Sequence, residues 1–169
     1  MKIRPEIRSD YEGIATAVTL AFGDPNIARL VELIRASDRY VPELALVAEN
    51  GRAVVGHVML SYATLERPEP VSVPLLSPMS VSPEYQRQGI GSSLVRAVLE
   101  RADERGEPLV VVEGIPTYYP RFGFDRARAH GIQPPSATIP DEAFMVHKLS
   151  AYRDDLRGRV VYPAAFDIV

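Results

Sequence analysis

Gln86, Gly89 and Gly91, spaced Q-x-x-G-x-G at the end of an apolar run, are the residues whose types and spacing point most directly to chemistry. Two glycines remove Cβ atoms where a ligand must approach the backbone. The amides from Gln88 through Gly89, Ile90 and Gly91 to Ser92 open a helical pattern, and the free N–H groups and positive dipole end of a helix start favour an anion. Arg87 adds a cation, and Ser92 and Ser93 add hydroxyl donors. The chemistry expected here is the grip of a pyrophosphate. A nucleotide-hydrolase loop would need Gly-Lys-Ser/Thr, but Gly91 is followed by Ser92. The dinucleotide fingerprint would need a third glycine where Leu94 stands. By spacing alone the stretch reads either as another kind of phosphate loop or as a turn that caps a helix and holds nothing.

The chain that must position this loop has 169 residues, the length of one domain with a real core. It contains no cysteine, which removes disulfides, thiolate metal sites and cysteine nucleophiles together. A net charge of −3 with both signs scattered argues against a sequence-independent footprint on nucleic acid. The start, MKIRPEIRSD, has no apolar stretch of a secretory signal, and no run approaches the roughly 20 apolar residues of a membrane span. The expectation is a soluble, cytoplasmic protein with no nucleic-acid or membrane partner. Most of the prolines cluster in 67–83 and 108–140, where they mark strand ends and loops.

Periodicity gives the elements. Residues 1–8 alternate and read as a first strand, and Ser9 or Asp10 caps a helix that Gly23 stops. A second helix fits 25–36, with Ile27, Leu30, Val31 and Ile34 on one face. Strands at 44–48 and 53–65 flank the Asn50-Gly51 turn signal and form a hairpin. A strand at 71–81 leads into the loop. The helix over 90–105 carries Leu94, Val95, Val98, Leu99 and Ala102 as one stripe. The apolar run 109–112 reads as a buried strand parallel to the one before the helix, joined by a right-handed crossover. A short helical stretch at 117–121, a strand at 143–149 and a last strand at 160–162 complete the chain. No repeat or linker divides it, so a single domain over 1–169 is expected, with 151–169 an extension packed on it.

In this order the elements, together with VAENGRAVVGHV, PMSVSPEYQRQGIGSSLV and YYPRFGF, resemble the GCN5-related N-acetyltransferases (GNAT superfamily). Ala21-Phe22-Gly23, Gly56-His57, Tyr118 to Phe124 and Tyr162 to Phe166 resemble a bacterial branch of that family defined by sequence more than by known substrates. The resemblance implies an α/β (α+β) GNAT acyl-CoA N-acyltransferase fold: a mixed central sheet of six to seven strands, splayed between the fourth and fifth, with helices on both faces. It implies acetyl-CoA as co-substrate and no metal, with the pantetheine arm along Met79, Ser80 and Val81 and the pyrophosphate on Gln86, Arg87, Gln88, Gly89, Ile90, Gly91 and Ser92. Pro78 and Pro83 should interrupt strand pairing on either side of that segment.

The resemblance also implies a reaction: an amine attacks the thioester directly in a ternary complex. Tyr119, four residues before Gly123 as in the family pattern, is the expected acid toward the leaving thiolate, with Tyr118 in its place if the local helix is shifted by one residue. Arg121 reads as a brace of that turn. Glu113, at the end of the fifth strand, is the candidate base, the other reading being a strand-end salt bridge. His57 reads as structural; His130 and His147 show no partners, and no metal-ligand spacing appears. The expected function is acetyl transfer to a primary amine, a small molecule ahead of a protein. The alternative is a non-catalytic acyl-CoA-binding regulatory module. The acceptor pocket is expected from 25–40, 66–71 and 127–141, and a homodimer through the tail is compatible with the sequence.

Overall fold

The computed structural model describes every residue from Met1 to Val169. The chain forms nine strands and three α-helices joined by turns and short 3₁₀ segments. It divides into two compact units, one of residues 1–61, 77–101 and 165–169, the other of 62–76 and 102–164.

In the first unit, β1 (Lys2–Pro5) lies antiparallel to β2 (Ala45–Asn50), with Lys2 opposite Glu49 and Pro5 opposite Leu46. Strand β2 pairs in turn with β3 (Ala53–Glu66), Ala45 opposite Met59 and Asn50 opposite Ala53. The Asn-Gly signal is realised as expected, Gly51 taking φ 66°. Two helices follow β1, α1 (Tyr11–Phe22) and α2 (Pro25–Arg35). Ile14 and Val18 of α1 and Leu30, Val31 and Ile34 of α2 pack with Ala45, Val47 and Met59 in one buried cluster. Each such aliphatic side chain contributes about 1.5–3 kcal/mol on burial, so this face holds the helices to the sheet. Gly23 ends α1 at φ 67°, its N–H bonded to the Thr19 carbonyl. Asp24 caps α2 by accepting from the Asn26 amide at 2.9 Å.

Two boundaries differ from expectation. Strand β1 stops at Pro5 because Arg8–Asp10 curls into a 3₁₀ turn. Asp10 precedes α1 but its side chain caps nothing there. Its carboxylate accepts instead from the Ile7 amide at 2.8 Å and from both terminal nitrogens of Arg4 at 2.7 and 2.9 Å.

In the second unit, the first part of β4 (Val71–Val81), up to Leu76, runs parallel to β5 (Leu109–Glu113) at Leu75 opposite Val111, and the rest of β4 belongs to the first unit. Strand β4 takes its expected bounds and continues through Pro74 and Pro78, so proline at 78 does not end it. Strand β5 is antiparallel to β8 (Phe144–Lys148), Leu109 opposite Lys148 and Glu113 opposite Phe144. Leu109 to Val112 are all buried, as a strand covered on both faces must be. The sheet is thus mixed, mostly antiparallel, with one parallel pair at β4 and β5 and another at β7 and β9.

The segment read as a proline-containing connection holds two strands of two residues each, β6 (Asp125–Arg126) and β7 (Ile132–Gln133). Two residues show no periodicity, so the sequence carried no sign of them. The last strand, β9 (Gly158–Val161), pairs antiparallel with β3 and parallel with β7. Helix α3 (Ile90–Glu104) runs from the first unit into the second, and Gly106 follows at φ 81°. No helix is long and apolar enough to cross a membrane.

Candidate functional site

The loop between β4 and α3 belongs to the first unit. Ser82 donates its amide to the Val55 carbonyl at 2.9 Å, and Pro83–Tyr85 form a 3₁₀ turn that carries the chain off the strand. Gln86 then turns its side chain back, Nε2 donating to the Val81 carbonyl at 2.9 Å. This ties the loop to the end of β4. Arg87 takes φ 62°, a left-handed conformation uncommon outside glycine, and Gly89 follows at φ 84° with open space where a Cβ would stand. The first intrahelical bond runs from the Ser93 amide to the Gly89 carbonyl at 3.0 Å, so the amides of Ile90, Gly91 and Ser92 precede any i−4 acceptor. Three N–H groups at a helix start and open space at Gly89 leave the backbone here approachable, an arrangement that favours an anion; Arg87, exposed, stands two residues before Gly89.

Two other side chains of this stretch bond to its own backbone. The Ser93 hydroxyl donates to the Gly89 carbonyl at 3.0 Å, and Gln88 Nε2 reaches the Glu84 carbonyl at 3.3 Å. On β4, Ser80 and Val81 are buried and Met79 is half-buried. The Ser80 hydroxyl oxygen is buried without a partner. Gly56 explains the Gly-His pair in β3: a Cβ there would stand 3.0 Å from Leu94 Cδ1, 3.2 Å from the Ser80 carbonyl oxygen and 3.3 Å from Ile90 Cγ2. Its absence lets β3 lie close under the strand and helix start that flank the loop.

The second unit brings together Glu113, Gly114, Tyr119 and Tyr162. Glu113 ends β5 with its side chain exposed, and the Gly114 amide donates to the Ala143 carbonyl at 2.9 Å. A Cβ on Gly114 would collide with the ring of Tyr119, so glycine is what admits that ring. Tyr119 opens the 3₁₀ turn Tyr119–Phe122, later than the expected 117–121, and is buried. Its ring meets Tyr118 and Phe124 edge-on, centroids at 5.1 and 5.6 Å. Burial first, and then the Tyr118 phenol nearby, raise the Tyr119 phenol above its ordinary value, so it stays protonated through neutral pH. Arg121 braces the turn: Nε donates to the Tyr118 carbonyl at 3.0 Å, and the guanidinium lies over the Tyr118 ring at 4.7 Å.

Sequence reasoning missed Tyr162, whose hydroxyl donates to Glu113 Oε1 at 2.9 Å. The signal was the closing YPxAF stretch, which marked the residue without a role. It also missed the partners of two histidines. His57 is fully buried on β3 and its Nε2 meets Glu6 Oε2 at 2.9 Å, which makes it structural as read. His130 is not without partners: Nε2 lies 2.9 Å from each Asp125 oxygen, a pairing across a turn that no regular spacing announces. His147 Nδ1 is buried without a partner, the ring set against Phe124 at 5.4 Å.

A family model described as "Acetyltransferase (GNAT) domain" matches residues 2–127. The uncharacterized N-acetyltransferase YjhQ of Escherichia coli (strain K12) is 34% identical over 158 residues, 90% of this chain and 87% of that protein. Among solved structures, the GNAT family N-acetyltransferase YhbS from Escherichia coli in complex with CoA superposes with a TM-score of 0.89 at 30% identity, over 98% of this chain and 91% of that one. A GNAT family acetyltransferase from Brucella melitensis in complex with acetyl-CoA gives 0.79 at 28% identity, over 98% and 97%.

Proposed function

The chain belongs to the GNAT acetyltransferase family, and from that premise we propose that it transfers the acetyl group of acetyl-CoA to a primary amine of a small molecule by direct attack. The observation that carries this reading is the amide cradle from Gly89 to Ser92 with Arg87 beside it. Bound acetyl-CoA supplies an acyl group activated as a thioester. The amides of Gly89, Ile90, Gly91 and Ser92 and the Arg87 guanidinium hold its diphosphate. Gln86 and Gln88, whose side chains bond to Val81 and Glu84, fix the loop's shape. Met79, Ser80 and Val81 take the pantetheine arm. The similar YhbS and Brucella chains hold CoA and acetyl-CoA, which supports the same ligand class here.

Chemistry follows from the second unit's residues. The acceptor arrives as an ammonium ion and is no nucleophile until it loses a proton. Glu113, exposed at the end of β5, accepts that proton directly or through water. The amine nitrogen forms its bond to the acyl carbon while the carbon–sulfur bond breaks; Tyr119, held protonated by its burial, gives its proton to the departing thiolate, and the remaining excess proton on nitrogen passes through water to restore the phenol. Fixed groups turn an encounter into a near-attack geometry and supply most of the acceleration. The test is release of free thiol from acetyl-CoA by the purified full chain with a panel of primary amines. Amine-dependent thiol release with stoichiometric N-acetyl product is the expected result. Tight cofactor binding with no turnover on any amine would replace this reading with an acyl-CoA-binding module.

A further inference from the structure

The C-terminal strand delivers a residue to the reacting carboxylate from far away in sequence. We propose that Tyr162 is a positioning residue for the acceptor: its hydroxyl fixes one oxygen of Glu113, so that the pair, and not Glu113 alone, is the docking point for the substrate's ammonium group. The proposal rests on the acetyltransferase reading above and adds to it the part of the acceptor site that the tail supplies.

Tyr162 donates to Oε1 at 2.9 Å, which leaves Oε2 to a ligand. An exposed glutamate at a strand end otherwise samples several rotamers, and fixing one removes an entropy cost from the binding step. The phenol remains a donor throughout the working range, because burial and then the Glu113 charge raise its own ionisation well above the ordinary value.

The tyrosine itself stands on a rigid mount. Strand β9, which ends one residue before it, is held on both sides: Thr64, Leu65 and Glu66 of β3 lie opposite Val161, Val160 and Arg159, and Ile132 and Gln133 of β7 lie opposite Gly158 and Arg159. At Gly158, φ is 145° and a Cβ would collide with the Glu66 carbonyl, so only glycine permits this approach. Pro163 follows Tyr162 and restricts its backbone to extended conformations. A flexible tail would need none of these constraints, whereas a side chain that must meet a carboxylate 49 residues away needs all of them.

The experiment is steady-state kinetics of Tyr162→Phe in the full chain, with acetyl-CoA and the amine that the wild type acetylates best, between about pH 6 and 9. The variant keeps the ring and loses only the donor. The amine KM should rise about tenfold or more, with the acetyl-CoA KM and the melting temperature unchanged. Glu113→Gln should raise the amine KM as well, and the double variant should be no worse than Glu113→Gln alone, since the hydroxyl acts only through the carboxylate. An unchanged amine KM in Tyr162→Phe, or losses that multiply in the double variant, overturns the proposal while wild-type turnover leaves the acetyltransferase reading standing. Should Tyr162→Phe unfold, Glu113→Gln decides: a raised amine KM with the acetyl-CoA KM unchanged supports the docking role, and an unchanged amine KM overturns it. A wild type that acetylates no amine fails the earlier reading and this one with it.

Discussion

At the scale of single residues, Tyr119 carries the sharpest consequence. Its ring lies against Gly114, its phenol is kept protonated by burial, and Phe124 and Tyr118 fix its plane. Replacing Tyr119 by Phe preserves this packing and removes the hydroxyl proposed as proton donor. Turnover measured by thiol release should fall by about 10²-fold, the low end for a positioned acid, while the acetyl-CoA KM stays within twofold. Equal turnover in the two proteins would remove Tyr119 from the mechanism. The sequence made Tyr119 legible because it precedes a glycine, Gly123, that takes φ 91° and so leaves a signature in the chain. Gly89 of the loop, at φ 84°, leaves the same kind of signature. Tyr162 and Glu113 were not linked in the sequence, because a side-chain bond closed by two strands pairing far apart leaves no local pattern. Gln86 shows a subtler limit: its motif position was readable, but its engagement with the Val81 carbonyl was not.

At the scale of elements, one buried cluster joins the pieces of the first unit. Glu6, just after β1, accepts from Arg35 at the end of α2 at 2.7 and 3.0 Å, from the Tyr40 hydroxyl at 2.9 Å, and from His57 of β3 at 2.9 Å. Arg35 also covers the Tyr11 ring of α1 at 3.8 Å. Burial alone would raise the Glu6 carboxyl, yet the bonds from His57 and Arg35 overcome it and hold the group at about 2, below its ordinary 4.5. Burial lowers His57 below its ordinary 6.5 despite Glu6. A neutral ring agrees with its unpartnered Nδ1, since a buried N–H there would lack an acceptor.

Both groups therefore act in one direction. Stability from Glu6 is complete above about pH 4.5 and is lost as pH falls toward 2, and the unfolded chain takes up the His57 proton from about 6.5 downward. Equilibrium denaturation against pH should show about 3 kcal/mol of acid-linked loss that Glu6→Gln abolishes. The same variant should be less stable at pH 7 by about 3–5 kcal/mol, because Arg35 is left buried without its counter-charge. Parallel pH curves for the two proteins would contradict this account of the cluster. The helices and hairpin of this unit were readable from periodicity and turn residues. The cluster was not, since Glu6, Arg35, Tyr40 and His57 each look ordinary in their local context.

At the scale of the whole molecule, the chain carries a net charge of −3, yet the ligand proposed for it is a polyanion. Distant charges are screened beyond roughly 8–10 Å at physiological salt, so affinity must come from the groups at the loop: the free amides of Gly89 to Ser92 and Arg87. Strand order and the parallel pair of β4 with β5 were legible because each element repeats its own period, and family resemblance ordered them. The short β6 and β7 and the start of β9 at Gly158 were not, because pairing there is decided by neighbours brought from elsewhere in the chain. The cradle itself is the claim on which transfer, proton donation and acceptor docking all depend. Isothermal titration calorimetry of coenzyme A into the purified full chain tests it most directly. Saturable one-to-one association is predicted, weakened at least about tenfold by Gly89→Val, which strains φ 84° and fills the open space. Failure of the unaltered protein to associate with coenzyme A at all would contradict the account.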